Sequence, residues 1–278
     1  VFHYTRWTAL REVLLWIVAL IFLLPFYFLI STALKSDAEV FSTNPVAPPS
    51  AMELGNFAEV FTATGQSNIL LGLLNSVIIT GGSILGLVVL GSLAGYVIAR
   101  STRRWSKVAY YLFLVAITLP TQLGTVPLYI GARTLGLTGS PWGMIVLYTG
   151  MLLPLSIFLY AGFFRGLGIA YEEAAVMDGA TPTQVFFLIV LPLMAPATGT
   201  VAILAGLIVW NDFFTPLIFL AGSGAQTLPV AMYFYVGSLV SQWNQIFAIV
   251  IVSMIPIIAF YLFAQKKFMQ GFAGGLKN

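Results

Sequence analysis

Apolar stretches of bilayer-spanning length recur along the whole chain, and that recurrence constrains the fold more than any other feature. Five or six of them, at about 13–33, 69–99, 108–130, 142–164, 193–219 and 246–264, are long enough; a helix needs about 20 apolar residues to cross ~30 Å of hydrocarbon. A helix also satisfies every backbone N–H and C=O within its own segment, as lipid demands. The reading is an all-α polytopic membrane protein, with 1–278 as a single transmembrane domain. Composition agrees: 59% of residues are hydrophobic and 8% charged, against roughly 25% charged in soluble domains. No Pro/Gly/Ser-rich linker or charge run divides the chain.

Pro25, Pro120, Pro154 and Pro256 fall inside these stretches and read as kinks that a membrane helix tolerates. Glycines 81, 82, 86, 91 and 95 give the second stretch a thin face suited to close helix contact. Ser31-Thr32-Ala33 resembles a small-residue cleavage site, but the apolar run before it exceeds the usual 7–15 residues of a signal peptide. The first stretch is therefore read as a retained span.

Charge placement orients the six spans. One side collects Arg6, Arg11, Arg100, Arg103, Arg104, Lys107, Arg165, Lys266, Lys267 and Lys277, and the other holds Lys35 and Arg133. Short cytoplasmic loops carry the excess of Lys and Arg, so both termini are expected in the cytoplasm. Without cysteine there is no disulfide, thiol chemistry or thiolate metal site. The single histidine, His3, cannot build a His-based cluster, so no metal is expected. A net charge of +3 gives no reason to expect nucleic acid.

Two outer loops are more than connectors in composition. The first, 34–68, opens Pro-rich over Asn44–Ser50 and carries Asp37, Glu39, Glu53 and Glu59. It reads as an extended start followed by a short helix near 54–61, either a surface linker or a docking surface for an external partner. The second, 220–245, is uncharged but holds Tyr233, Phe234, Tyr235 and Trp243 beside Gln226, Gln242, Asn244 and Gln245. Such residues suit the bilayer interface and equally suit stacking and amide contacts with an uncharged polar solute.

The cytoplasmic segment 165–192 is the most informative. Glu172 and Glu173 fall where a helix starts, complementing its positive end. Ala174 and Ala175 favour helix and let another surface approach, and Gly179 ends or bends it. Thr181, Pro182 and Gln184 then spell an N-cap, an N1 proline and the third position of a capping box. Val185, Phe186, Phe187 and Ile189 follow before Pro192. A hairpin lying on the bilayer surface would use Lys or Arg on its polar face. Here the helix-start charges are acidic, which favours docking to a protein. Elsewhere, Asp212 beside Asn211 near the outer end of the fifth span is costly in hydrocarbon unless it faces a cavity or partner. The pair either lines a route or, if the helix ends early, sits in the interface.

The run from Glu173 through Asp178-Gly179-Ala180, with Phe186, Ile189, Leu191-Pro192 and Pro196, resembles the EAA signature of binding-protein-dependent ABC importer permeases. Trp210–Leu217 and the tail Gln270–Lys277 are similar to the carbohydrate branch, in particular to the shorter permease of the maltose-transporter type. That resemblance implies the type I importer permease fold with six spans, in a bacterial or archaeal cytoplasmic membrane. It also implies a homologous second permease, two ATPase subunits that hold ATP and Mg, an extracytoplasmic solute-binding protein and a di- or oligosaccharide substrate. Residues 170–187 would form the coupling element seated in an ATPase cleft, involving Glu172, Glu173, Ala174, Ala175, Asp178, Gly179, Ala180 and Phe186. The tail from Gln270 would reach toward the ATPase dimer interface. Asn75, Asn211 and Asp212 would line the pathway.

The chain itself has no Gly-x-x-x-x-Gly-Lys-Ser/Thr loop to hold nucleotide phosphates, so it is expected to be a non-catalytic subunit with no cofactor of its own. A glycerol-phosphate or polyol importer is an alternative within this class, although an anion would want fixed positive charge that the spans do not supply. An autonomous secondary transporter would require repeated halves or an ion site on broken helices, and a non-transporting scaffold would bind partners without solute-dependent activity.

Overall fold

A computed structural model describes residues 5–236 and 242–275, with side chains through Leu262 and at Gln265. His3 and the side chains of the 270–277 tail lie outside these described residues. The described chain is helical, with no strand. The helices are α1 (Arg6–Ala33), α2 (Asp37–Ser42), α3 (Gly55–Thr62), α4 (Ile69–Arg100), α5 (Arg104–Thr118) and α6 (Thr125–Thr134). There follow α7 (Pro141–Gly166), α8 (Ala170–Met177), α9 (Pro182–Leu193), α10 (Ala195–Asn211), α11 (Phe214–Phe219), α12 (Leu228–Val236) and α13 (Trp243–Gly275). Four of them, α1, α4, α7 and α13, are each long and apolar enough to cross a membrane. Two bent pairs bring the number up to six: Arg104–Thr118 with Thr121–Thr134, and α9 with α10.

The third and fifth stretches thus differ from uninterrupted spans. Pro120 ends α5 instead of kinking it: Leu119 is extended, with ψ 129°, as the residue before a proline prefers. The chain turns by 94° there. The fifth stretch bends by 70° between α9 and α10 and stops at Asn211, where Asp212 turns extended with ψ 124°.

Two compact units emerge, 1–70 with 231–255, and 71–230 with 256–278. In the first unit α1 leaves almost all its apolar side chains uncovered; only 6% of its most apolar stretch is buried. Its C-terminal end is held by the 34–68 loop. Asn56 Nδ2 donates to the carbonyls of Ala33 and Lys35, at 2.8 and 2.9 Å, and its Oδ1 accepts from Asn244 Nδ2 at 3.0 Å. Gln245 donates to Glu59 at 2.8 Å, and the Ser50 amide donates to Glu39 at 2.7 Å. Two of the four amides noted in the second outer loop are thereby spent on internal structure. Tyr235 is buried, its hydroxyl 3.4 Å from the Ser67 carbonyl.

In the second unit the glycine face of α4 lies on α7. A Cβ at Gly82, Gly86, Gly91 or Gly95 would collide with Ile145, Thr149, Ser156 or Tyr160 respectively, while Gly81 faces open space. The partner numbers rise together, so α4 and α7 run parallel and emerge at the same side. Ser156 Oγ donates to the Leu87 carbonyl at 2.9 Å across this seam. α5 runs antiparallel along α7, with Tyr110 and Phe113 against the buried trio Ile98, Ile157 and Ala161. The Arg165 guanidinium lies 4.1 Å from the Tyr110 ring centre, a cation–π contact. α10 also runs antiparallel to α7, joined by Tyr160 to Thr198 at 2.9 Å near one end and Tyr148 to Asp212 at 2.9 Å near the other.

Candidate functional site

The hairpin of α8 and α9 is built as its residues dictate. Glu172 and Glu173 occupy the first turn of α8. The helix closes with two bonds, from the Gly179 amide to the Val176 carbonyl and from the Ala180 amide to the Ala175 carbonyl, both 3.0 Å. That pattern needs a left-handed residue at its turn, and Gly179 has φ +86°. Thr181 then caps α9 in a reciprocal box with Gln184, with Pro182 at the first position. From Val185 to Val190 the backbone is π-helical.

Adjacent residues on α8 have opposite surroundings. Glu172 and Ala175 are buried, at 8% and 5% exposure, and Phe186 of α9 is buried at 4%. Ala175, Val185 and Phe186 join a core with Leu87, Tyr160 and Phe164. Glu173, Ala174, Asp178 and Gly179 are exposed, Ala180 is half-buried, and Met177 is 87% exposed. The eight residues singled out in the sequence thus divide into an inner anchoring set and an outer set free to meet another surface.

Glu172 is not among those facing outward. Its Oε2 accepts from the Tyr96 hydroxyl at 2.7 Å and its Oε1 from Arg100 Nε at 2.7 Å, with Arg100 Nη2 at 2.6 Å. The same Nη2 donates to the Leu167 carbonyl at 3.0 Å. Sequence reading marked neither Tyr96 nor Arg100 for this role. The available signal was the phase of α8, which sets Glu172 and Ala175 on one face, three residues apart.

A second site lies where two helix breaks coincide. A cleft of about 320 Å³ is lined by Thr121, Gln122 and Thr125 after the 94° turn, by Tyr148 and Met151 of α7, and by Asn211, Asp212 and Thr215. Asp212 Oδ1 accepts from the Thr215 amide at 3.3 Å, capping α11, while Oδ2 holds Tyr148. The early end of α10 therefore leaves Asp212 at a cleft with defined partners. Asn75 does not join this cleft; its Nδ2 donates to the Gln226 carbonyl at 3.1 Å. Gln122 and Thr125 were missed because the third stretch reads as one continuous span. A further cleft of about 380 Å³ is almost wholly apolar, with Ile84, Ile203, Leu207, Trp210 and Phe260 in its wall.

Residues 87–273 match the family model described as binding-protein-dependent transport system inner membrane component. The chain is 33% identical over 260 residues to the melibiose/raffinose/stachyose import permease MelC of Bacillus subtilis, covering 93% of this chain and 92% of that protein. It is 31% identical to AmyC of Thermoanaerobacterium thermosulfurigenes, a probable permease for starch degradation products, covering 93% of each. It is 33% identical to the trehalose permease SugB of Mycobacterium tuberculosis, covering 91% of each. A solved bacterial ABC transporter involved in import of the acidic polysaccharide alginate shares the fold, with a TM-score of 0.83 at 22% identity, over 96% of this chain and 100% of that one.

Proposed function

Given that the chain belongs to the binding-protein-dependent transport system inner membrane components and is a permease subunit of a sugar ABC importer, working with ATPase and solute-binding partners, we propose that the α8–α9 hairpin is its coupling element and the cleft at Asp212 part of its solute route. The observation that carries the first assignment is the division of α8. Its inner face is fixed into the core while Glu173, Ala174 and Met177 stand exposed beside it. A hairpin so anchored transmits force applied to its outer face. The expected complex adds a homologous second permease and two ATPase subunits, which would carry ATP and Mg.

In this reading the full span 1–278 serves as one permease domain with six crossings, both bent pairs included, in a bacterial or archaeal cytoplasmic membrane. The parallel run of α4 and α7 supports it, since a chain that crosses twice in one direction must return between them. Arg100, Arg103, Arg104 and Arg165 then cluster at one end with the hairpin, as cytoplasmic loops do. ATP binding would close the ATPase pair, the hairpin would carry that movement inward, and the route would open outward beneath the docked binding protein. Such alternating access is a shift between two global states.

The solute is proposed to be an uncharged di- or oligosaccharide, as the names of MelC, AmyC and SugB suggest. Amide, hydroxyl and carboxylate groups line the cleft without any Lys or Arg, which disfavours a phosphorylated polyol. Asn211, Asp212 and Gln122 are the contacts of choice, and Asn75 belongs to the same route at a separate point.

The test is a reconstituted complex carrying Glu173→Ala or Gly179→Val, assayed with melibiose, raffinose, trehalose and a maltodextrin. Sugar-stimulated ATP hydrolysis should fall in both. Unchanged stimulation and uptake in both variants would remove the coupling assignment.

A further inference from the structure

The hairpin needs no ion pair merely to stay in place, because Ala175, Val185 and Phe186 already seat it in an apolar core. Apolar contact is non-directional; packed surfaces can slide over one another. A carboxylate held by charged and neutral hydrogen bonds fixes both distance and direction. Arg100 adds its planar fork, which grips two acceptors in a set geometry.

We propose that Glu172, Arg100 and Tyr96 form a latch that delivers movement of the α8–α9 hairpin to α4 and α7. This rests on the reading of that hairpin as the coupling element. Arg100, the last residue of α4, bonds both to Glu172 on α8 and to the carbonyl of Leu167, the C-cap of α7. It therefore straddles the connection between α7 and α8. Tyr96, one helical turn earlier, gives its hydroxyl to Glu172 and packs its ring against Phe164 of α7 at 5.5 Å and Phe186 of α9 at 5.1 Å. Four helices meet at these two residues. Beyond them, α4 and α7 move as a pair, because their glycine seam leaves no room for the helices to approach further. A push on the exposed face of α8 is thus delivered to α4 and α7 together through one polar point. Glu172 and Glu173 act differently: Glu173 meets the partner, and Glu172 passes the motion on.

The experiment measures ATP hydrolysed and sugar taken up in the same vesicles. These hold the full complex with its binding protein, and the sugar is whichever of melibiose, raffinose, trehalose or maltodextrin wild type takes up fastest. Glu172→Gln and Arg100→Met should lower uptake more than hydrolysis, raising ATP per sugar about fivefold, within the range seen for residues along a coupling route. Tyr96→Phe, isosteric and minimally disruptive, should raise the ratio less but in the same direction. The double variant Glu172→Gln/Arg100→Met should be no worse than either single change, because both break one link. A ratio within about twofold of wild type in all three single variants overturns the latch. So does a fall in hydrolysis and uptake at constant ratio, which is the mark of a merely structural support. Glu173→Ala, measured alongside, should lower stimulated hydrolysis itself; if it did not, the hairpin reading would fail, a result separate from any change in the ratio.

Discussion

Two neighbouring carboxylates with opposite surroundings show how much one residue step means on a short helix. Glu172 is tied to Arg100 and Tyr96 while Glu173 is exposed, although both are glutamates at a helix start and look alike in sequence. Asp212 shows a similar dependence on detail. It serves as cap for α11 and acceptor for Tyr148 at a polar cleft. Asp212→Leu would strand a phenol hydroxyl and a backbone amide in a site poor in water, at about 1–3 kcal/mol for a buried group left unpaired. Asp212→Asn keeps an acceptor for each. The thermal midpoint of the purified complex should fall for the leucine variant and stay near wild type for asparagine. Equal midpoints would mean that the two hydrogen bonds carry no weight.

Helix packing repeats this logic over longer stretches. The seam between α4 and α7 depends on glycine at each point of closest approach, and a Cβ at Gly95 would come within 2.7 Å of Tyr160 Cβ and 3.2 Å of the Ala161 amide nitrogen. The latter is backbone and cannot swing aside. Gly95→Leu should therefore separate the helices, costing about 1–3 kcal/mol as overpacking does, and lower both complex stability and uptake. Gly81→Ala, which faces open space, is the matched control and should leave both unchanged. Four of the five glycines in that face, the turn at Gly179 and the Thr181–Gln184 box were legible because each rests on local chemistry. The breaks were not. Pro120 and Pro25 look equivalent in sequence, yet α1 continues through Pro25 and α5 stops before Pro120. What separates them is the fold around each proline, which composition cannot report. The Glu172 latch was hidden for a related reason, since Arg100 lies 72 positions away.

Across the molecule, the sequence and the fold agree on a polytopic helical permease and the comparisons on its family, and the resulting account is mechanical. ATPase movement enters at the exposed face of α8, passes through the latch into α4 and α7, and reaches the cleft where Tyr148 of α7 holds Asp212. Tyr148 and Leu167 are 19 positions apart, about 28 Å along a straight helix, so α7 carries contacts to both sites. All of this requires that the hairpin be cytoplasmic and covered by an ATPase subunit. The chain has no cysteine, so a single Met177→Cys change places one thiol at an 87% exposed position on that face. The decisive measurement is its reaction with a membrane-impermeant maleimide, applied from each side of the vesicle, with the ATPase subunits bound and after their removal. The account predicts labelling from the cytoplasmic side alone, strongly suppressed while the ATPases are bound. Labelling from the outer side, or equal cytoplasmic labelling with and without the ATPases, would contradict it.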